Sequence, residues 1–375
     1  MLANLYYVVA WEDEQADGNA LQASARGFEN RFAEINLSDL SAGHQARPDI
    51  GVAADGGFVA VWEDDTDLNG LYQIHARGFA PDGSARFSRI TVNSVAAGQQ
   101  RRPRVAVAPN GDFAVVWEDD PDGNGLYNLV GRGFYANGTQ KWSDRDVALT
   151  GPGAELEPAI AMAGDGTFVV VWTDDIAHNG FFQVKARTFH ANGTQRVAAF
   201  TVNSVGGGQQ TQPDVAATLN GFVVVWADDS DVNWFRQIHA RGFFSTGAQR
   251  FADITVNQVG TADQYAPAVA MAPDGSFAAA WVDQNHRIVT RQFGATGLAL
   301  TPDLVLNGDG LPLQNRPAIA VSQDDQFVVA WDFLGENGRY GLKARRLDGA
   351  GGLGPERTLN LPSSGDQLAP AVAIQ

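Results

Sequence analysis

Cysteine is absent from this 375-residue chain, which excludes disulfides, thiolate metal sites and cysteine nucleophiles. Base is scarce: 26 Lys and Arg face 43 Asp and Glu, a formal net charge of −17. That deficit argues against nucleic acid and anionic membranes, which are held by basic patches. No apolar run reaches membrane-spanning length, so no membrane insertion is expected. The start, MLANLYYVVAW, has no basic n-region or cleavage site. The expectation is a piece of a larger exported polypeptide, extracellular or at the cell surface, with the cytoplasm as the alternative. No stretch of helical period occurs, and G-x-S-x-G, HExxH and P-loop motifs are missing. The six histidines are scattered.

What the chain does have is repetition. Trp11, Trp62, Trp117, Trp172, Trp226, Trp281 and Trp331 recur at intervals of 50 to 55 residues. Around each lies one pattern, as in PRVAVAPNGDFAVVW (103–117) and PAIAMAGDGTFVVVW (158–172). Two short apolar runs flank a Gly/Asn/Asp break, which suits two strands and a tight hairpin turn. A polar loop follows the Trp, then a third strand such as YQIHARGF (72–79), a second turn, and a fourth such as ITVN (90–93, 254–257). We name the four strands A to D. Strand B is apolar throughout, as a strand covered on both faces requires.

Four antiparallel strands repeated at this period predict an all-β, seven-bladed propeller. YVVAW (7–11) is a strand B without a strand A, and PAVAIQ (370–375) is a strand A without a strand B. Joined, they complete one blade and close the ring. The expected organisation is one propeller domain over 1–375, with blade one shared between 5–47 and 368–375. The further blades start near 48, 103, 158, 213, 267 and 317.

The phrase VNSVGGGQQTQPDV…GFVVVW (202–226), with variants at 92–117 and 256–281, resembles a repeat of large secreted or surface bacterial proteins that also carry RTX or cadherin-like modules. The resemblance implies a secreted or surface propeller and carries no catalytic residue with it.

Three recurring positions bear on function. An arginine closes strand C in every blade (Arg26, Arg77, Arg132, Arg187, Arg241, Arg291, Arg345), and in six blades an acid two residues after the Trp is expected to pair with it across the B–C hairpin, the seventh having Phe333 there with Asp332 just before it. Three residues before each strand-A proline stands an amide or acid, including Gln100 and Gln210, which either fixes the blade crossover or offers a polar ring to a ligand. The B–C loops DTDLNG (65–70) and DPDGNG (120–125) match the first half of a calcium loop, and DSDVNW (229–234) keeps its three side-chain oxygens. Asp65, Asp67, Asn69, Asp120, Asp122, Asn124, Asp229, Asp231 and Asn233 are thus candidate calcium ligands, although turns use the same residues. Tyr72, Tyr127, Phe182 and Trp234 follow these loops and suit stacking on sugars.

Paired carboxylates abound, but they repeat around the ring, whereas a glycosidase needs two singular ones. The expected function is therefore a non-catalytic extracellular binding module, not an enzyme, recognising a glycan or surface protein through the B–C/D–A face, with calcium as candidate cofactor. The alternative is a structural or assembly subunit that binds protein partners, and the third reading is a polysaccharide-active enzyme.

Overall fold

The computed structural model describes residues 6–14, 21–28, 32–38, 43–148, 153–175, 179–307, 313–335, 338–359 and 365–375. They form seven four-stranded antiparallel sheets and no helix. In six sheets the order is A-B-C-D along the sequence. In the seventh, the C-terminal strand Gln367–Ile374 pairs with Tyr7–Glu14, with Tyr7 opposite Ile374 and Ala10 opposite Ala371. The ring is closed by its own ends, which leaves no open sheet edge between first and last blade.

Strands A lie innermost. Each contacts the strand A of the blades on both sides, and the series runs unbroken round the ring. Strands B come next, and Trp11, Trp62, Trp117, Trp172, Trp226, Trp281 and Trp331 are all fully buried. A periodic aromatic stack joins the blades. Phe58 lies 4.7 Å from Phe79 in its own blade and 5.5 Å from Phe32 of the preceding one, both nearly parallel. Such pairs add to the burial they already provide.

The strand-C arginines do not meet the acids assigned to them. Register sets Arg77 opposite Ala60, while Asp64 stands opposite Gln73, four residues earlier in strand C. The arginine reaches backward instead: Arg187 Nη1 donates to the Val147 carbonyl at 2.6 Å and Arg241 Nη1 to the Val202 carbonyl at 2.7 Å, each in the preceding blade. Asp64 and Asp228 accept from the indole N–H of Trp62 and Trp226, at 3.2 and 3.1 Å. Strand D also begins earlier than its ITVN phrase: Ala85–Thr91 is the strand, and Asn93 lies beyond it. The Asn93 and Asn203 amide oxygens accept the Ile74 and Val184 N–H groups, each at 2.9 Å, where strand pairing has ended. The recurrent VN is a strand exit.

Candidate functional site

The B–C and D–A connections share one face of the ring, and the residues expected to act there fall into three environments. Gln100 and Gln210 are fully buried. Gln100 Nε2 donates to the Ala97 carbonyl at 2.8 Å and Gln210 Nε2 to that of Gly207 at 2.7 Å, so both amides hold the crossover into strand A. In the acidic loops, Asp65 accepts the Asn69 and Gly70 N–H groups at 3.0 and 3.2 Å, and Asn69 Nδ2 donates to Asp67 at 2.8 Å. Asp120 accepts from Asn124 and Gly125, and Asn124 Nδ2 donates to Asp122. Asp229 accepts the Trp234 N–H at 3.1 Å, and Asn233 Nδ2 donates to Asp231. Turn geometry accounts for this spacing of Asp, Asn and Gly. Among the described residues no group of three or more His, Asp or Glu side chains is arranged to hold a metal. Residues 176–178 of the fourth-blade loop and 336–337 of the ENG at 336–338 lie outside the described residues.

Tyr72, Tyr127 and Phe182 are half-buried at the start of strand C, with Tyr127 covered by the Arg101 guanidinium 3.6 Å from its ring centre. Trp234 is 83% exposed and sits at φ +69°, where the equivalent Gly70 and Gly125 have φ +79° and +81°.

A different set of residues breaks the ring's symmetry. Every inner strand carries a bulge, and the residue just before its proline is held in the left-handed region: Arg47, Arg102, Glu157, Gln212, Ala266, Arg316 and Ala369, all with φ between 49° and 56°. None is glycine, so each blade carries a strained backbone position at the same height. Facing these bulges is the residue that follows each tryptophan: Glu12, Glu63, Glu118, Thr173, Ala227, Val282 and Asp332. The two rings interlock. Glu12 accepts the Arg47 N–H at 2.7 Å, Glu63 that of Arg102 at 2.5 Å, Glu118 that of Glu157 at 2.8 Å, and Asp332 that of Ala369 at 3.2 Å. At two of the three blades that lack the acid, the bulge residue itself supplies the oxygen: Glu157 accepts from Gln212 and Gln212 from Ala266.

Acids and arginines thus gather at the channel mouth over blades seven, one, two and three, while blades five and six offer Gln212, Ala227, Ala266 and Val282. Burial raises the Glu63 carboxyl against the pull of Arg47. Asp332 is pushed up to about 6, first by burial and also by the neighbouring Glu12 charge, with Arg316 at 3.7 Å opposing. Glu12 is only half-buried. A carboxyl raised by burial is one that can hold a proton to give. Deeper in the channel, Asp49 and Asp214 accept the Val105 and Val269 N–H groups, each at 2.8 Å, and burial raises both carboxyls, Asp214 to about 6. On the opposite face a cleft of about 220 Å³ lies between blades three and four, but Lys141 and Asp112 on its wall pair with each other at 2.8 Å.

These mouth residues lie where the repeat varies, not where it recurs. Written one above another, the seven repeats are constant at the Trp and the proline, and change chemistry at the next residue after one and the residue before the other. That contrast was the available signal.

No family model matches the chain, and no curated protein matches it. Solved structures do. A Fusarium graminearum GH93 α-L-arabinofuranosidase complexed with arabinobiose is similar with a TM-score of 0.58 and 13% identity, over 83% of this chain and 96% of that one. A Penicillium chrysogenum α-L-arabinanase complexed with arabinobiose gives 0.56 and 14%, over 80% and 92%. A Mycobacterium tuberculosis puromycin-hydrolyzing peptidase gives 0.56 and 13%, over 97% of this chain and 53% of that one. At such identities the likeness is one of fold. It still corrects the expectation of a non-catalytic module that is no enzyme: propellers of this build include hydrolases. The premise behind that expectation, that the acids merely repeat, fails at Asp332, where three other blades have glutamate and three have no acid.

Proposed function

We propose that this propeller is a polysaccharide-active glycoside hydrolase whose active site is the channel mouth on the B–C/D–A face. The observation that carries the reading is Asp332, a carboxyl pushed up to about 6 at a position where other blades place glutamate, threonine, alanine or valine. Its neighbour Glu12 is the second acid. In this reading Asp332 gives its proton to the glycosidic oxygen as the bond to the anomeric carbon breaks, and Glu12 assists the attack on that carbon. Water supplies the other product's oxygen and returns the proton. Arg316, on the solvent side of Asp332, must move for substrate to reach it.

The likeness to arabinose-polymer hydrolases supports this choice of bond and makes arabinans the first substrates to try. The resemblance of the repeat to those of secreted bacterial proteins supports an extracellular setting in which such polymers are met.

The test is a panel assay. Wild-type protein is incubated between pH 5 and 7 with debranched arabinan, arabino-oligosaccharides and pectic polymers, and released reducing ends are measured. Release from at least one polymer is expected. No release from any of them at high protein concentration would remove the hydrolase reading.

A further inference from the structure

We infer that the glycan taken at the channel mouth is anionic, a polymer bearing uronate carboxylates; this deepens, and rests on, the reading of the mouth as a glycan-active site. The starting point is a layered arrangement. Arg47, Arg102 and Arg316 are paired with Glu63, Glu118 and Asp332 at 2.9, 3.4 and 3.7 Å. The carboxylate side chains are 2%, 0% and 1% exposed, whereas the arginines are 50%, 37% and 54% exposed. The acids form the floor and the guanidinium groups face solvent.

Each of these arginines engages its acid through Nη1, and among the described residues the rest of the fork makes no hydrogen bond. Donors are what the mouth presents. A guanidinium fork matches a carboxylate in plane and in spacing, which neutral sugar hydroxyls do not. Arg104, one residue beyond the proline of its blade and level with Asp49, is exposed, and its charge opposes the burial that raises the Asp49 and Asp214 carboxyls.

Two observations argue that these arginines do more than neutralise the acids beneath. The fold does not need them, since the same strained position accepts Glu157, Gln212, Ala266 and Ala369. Among the described residues Glu157, half-buried in the ring of bulge residues itself, is held by the Gln212 N–H at 2.7 Å with no ion pair. At three blades of the mouth the partner nearest solvent is a guanidinium, on a chain of net charge −17. The overall charge is screened beyond about 8–10 Å at ordinary ionic strength, so recognition of an anionic sugar falls to groups in contact with it.

The experiment measures binding by calorimetry of tri-galacturonate and of its fully methyl-esterified form to Glu12→Gln, in which the Asp332–Arg316 pair is intact and turnover is removed. The free acid is expected to bind about tenfold tighter, the increment of a charge-assisted hydrogen bond pair. Raising salt should erode its binding and spare the ester. Arg102→Lys with Arg316→Lys keeps the charge and loses the fork, so the preference should shrink several-fold in a protein that melts normally. Equal affinity for acid and ester overturns the inference, as does a preference untouched in the double Lys variant. The two readings fail separately. Uronate binding without hydrolysis of any polymer removes the hydrolase and leaves the anionic site, whereas cleavage of neutral arabinan without a uronate preference does the reverse.

Discussion

Arg47 donates from a single nitrogen to both carboxylate oxygens of Glu63, at 2.9 and 3.0 Å, and the same carboxylate accepts the Arg102 N–H of the next blade. One buried acid therefore carries a salt bridge and a blade-to-blade tie. Glu63→Ala should leave a bulge N–H without its acceptor and a guanidinium without its anion. Arg47 is half exposed and stays solvated, so the cost is mainly that of the unsatisfied N–H, roughly 1–3 kcal/mol. A thermal melt should show a fall of several degrees, and a melt within one degree of wild type would show that the two rings do not hold the blades together.

Acidity should stabilise the protein over a defined window. The folded carboxyls of Asp214 and Asp332 are raised to about 6 from a reference of 3.8. Raised acids bind protons more tightly folded than unfolded, so their contribution is complete below about pH 4 and is lost as pH rises through about 6. His239, raised by Asp253 against its burial, acts in the same direction. The melting temperature should climb between pH 7 and about 4.5, and Asp214→Asn should flatten part of that climb. Below the window, carboxyls held down by hydrogen bonds, such as Asp64, reverse the trend. A melting temperature that falls steadily from pH 7 to 4.5 would contradict the assignment.

Trp234 occupies a left-handed position that sibling loops give to glycine, and its ring is exposed. Trp234→Gly should relieve strain of about 1 kcal/mol, offset in part by glycine's greater freedom in the unfolded chain. The melt should therefore stay level or rise slightly. A fall of several degrees would mean that the indole packs on its loop.

Gly208 has φ +66°, and a Cβ added there would overlap the Asp229 carbonyl oxygen of the adjoining loop. Gly208→Ala should destabilise the fifth blade by more than Trp234→Gly changes it. Equal melts for the two variants would argue that the loop yields freely.

Deleting residues 370–375 removes most of the strand that pairs with Tyr7–Glu14. The truncated protein should aggregate or melt far lower. A monodisperse truncation with an unchanged melt would mean that the ring does not depend on its terminal pairing.

Much of the fold was legible because propeller blades are written locally. Asp55-Gly56 and its counterparts announce hairpins, the Trp marks strand B, and the unmatched halves at the two ends close the ring. Register was harder to read. Arg77 and Asp64 are near each other in sequence on facing strands, yet the hairpin offsets them, and the partner of the arginine belongs to the previous blade. The site was least legible. Asp332 and Glu12 lie 320 positions apart in sequence and become neighbours only because the ring closes. The raised carboxyl of Asp332 reflects burial, which no single repeat reveals.

Asp332→Asn tests whether Asp332 gives a proton to the leaving sugar at the channel mouth. Turnover of the best substrate from the polymer panel is compared between wild type and this variant at matched folding, together with the wild-type pH profile. The account predicts that kcat falls by roughly 10²–10⁴, the range of general acid catalysis, with KM little changed. It also predicts that the wild-type rate declines as pH rises through about 6, where Asp332 loses its proton. A folded Asp332→Asn variant that turns over at the wild-type rate, with the same pH profile, would contradict it.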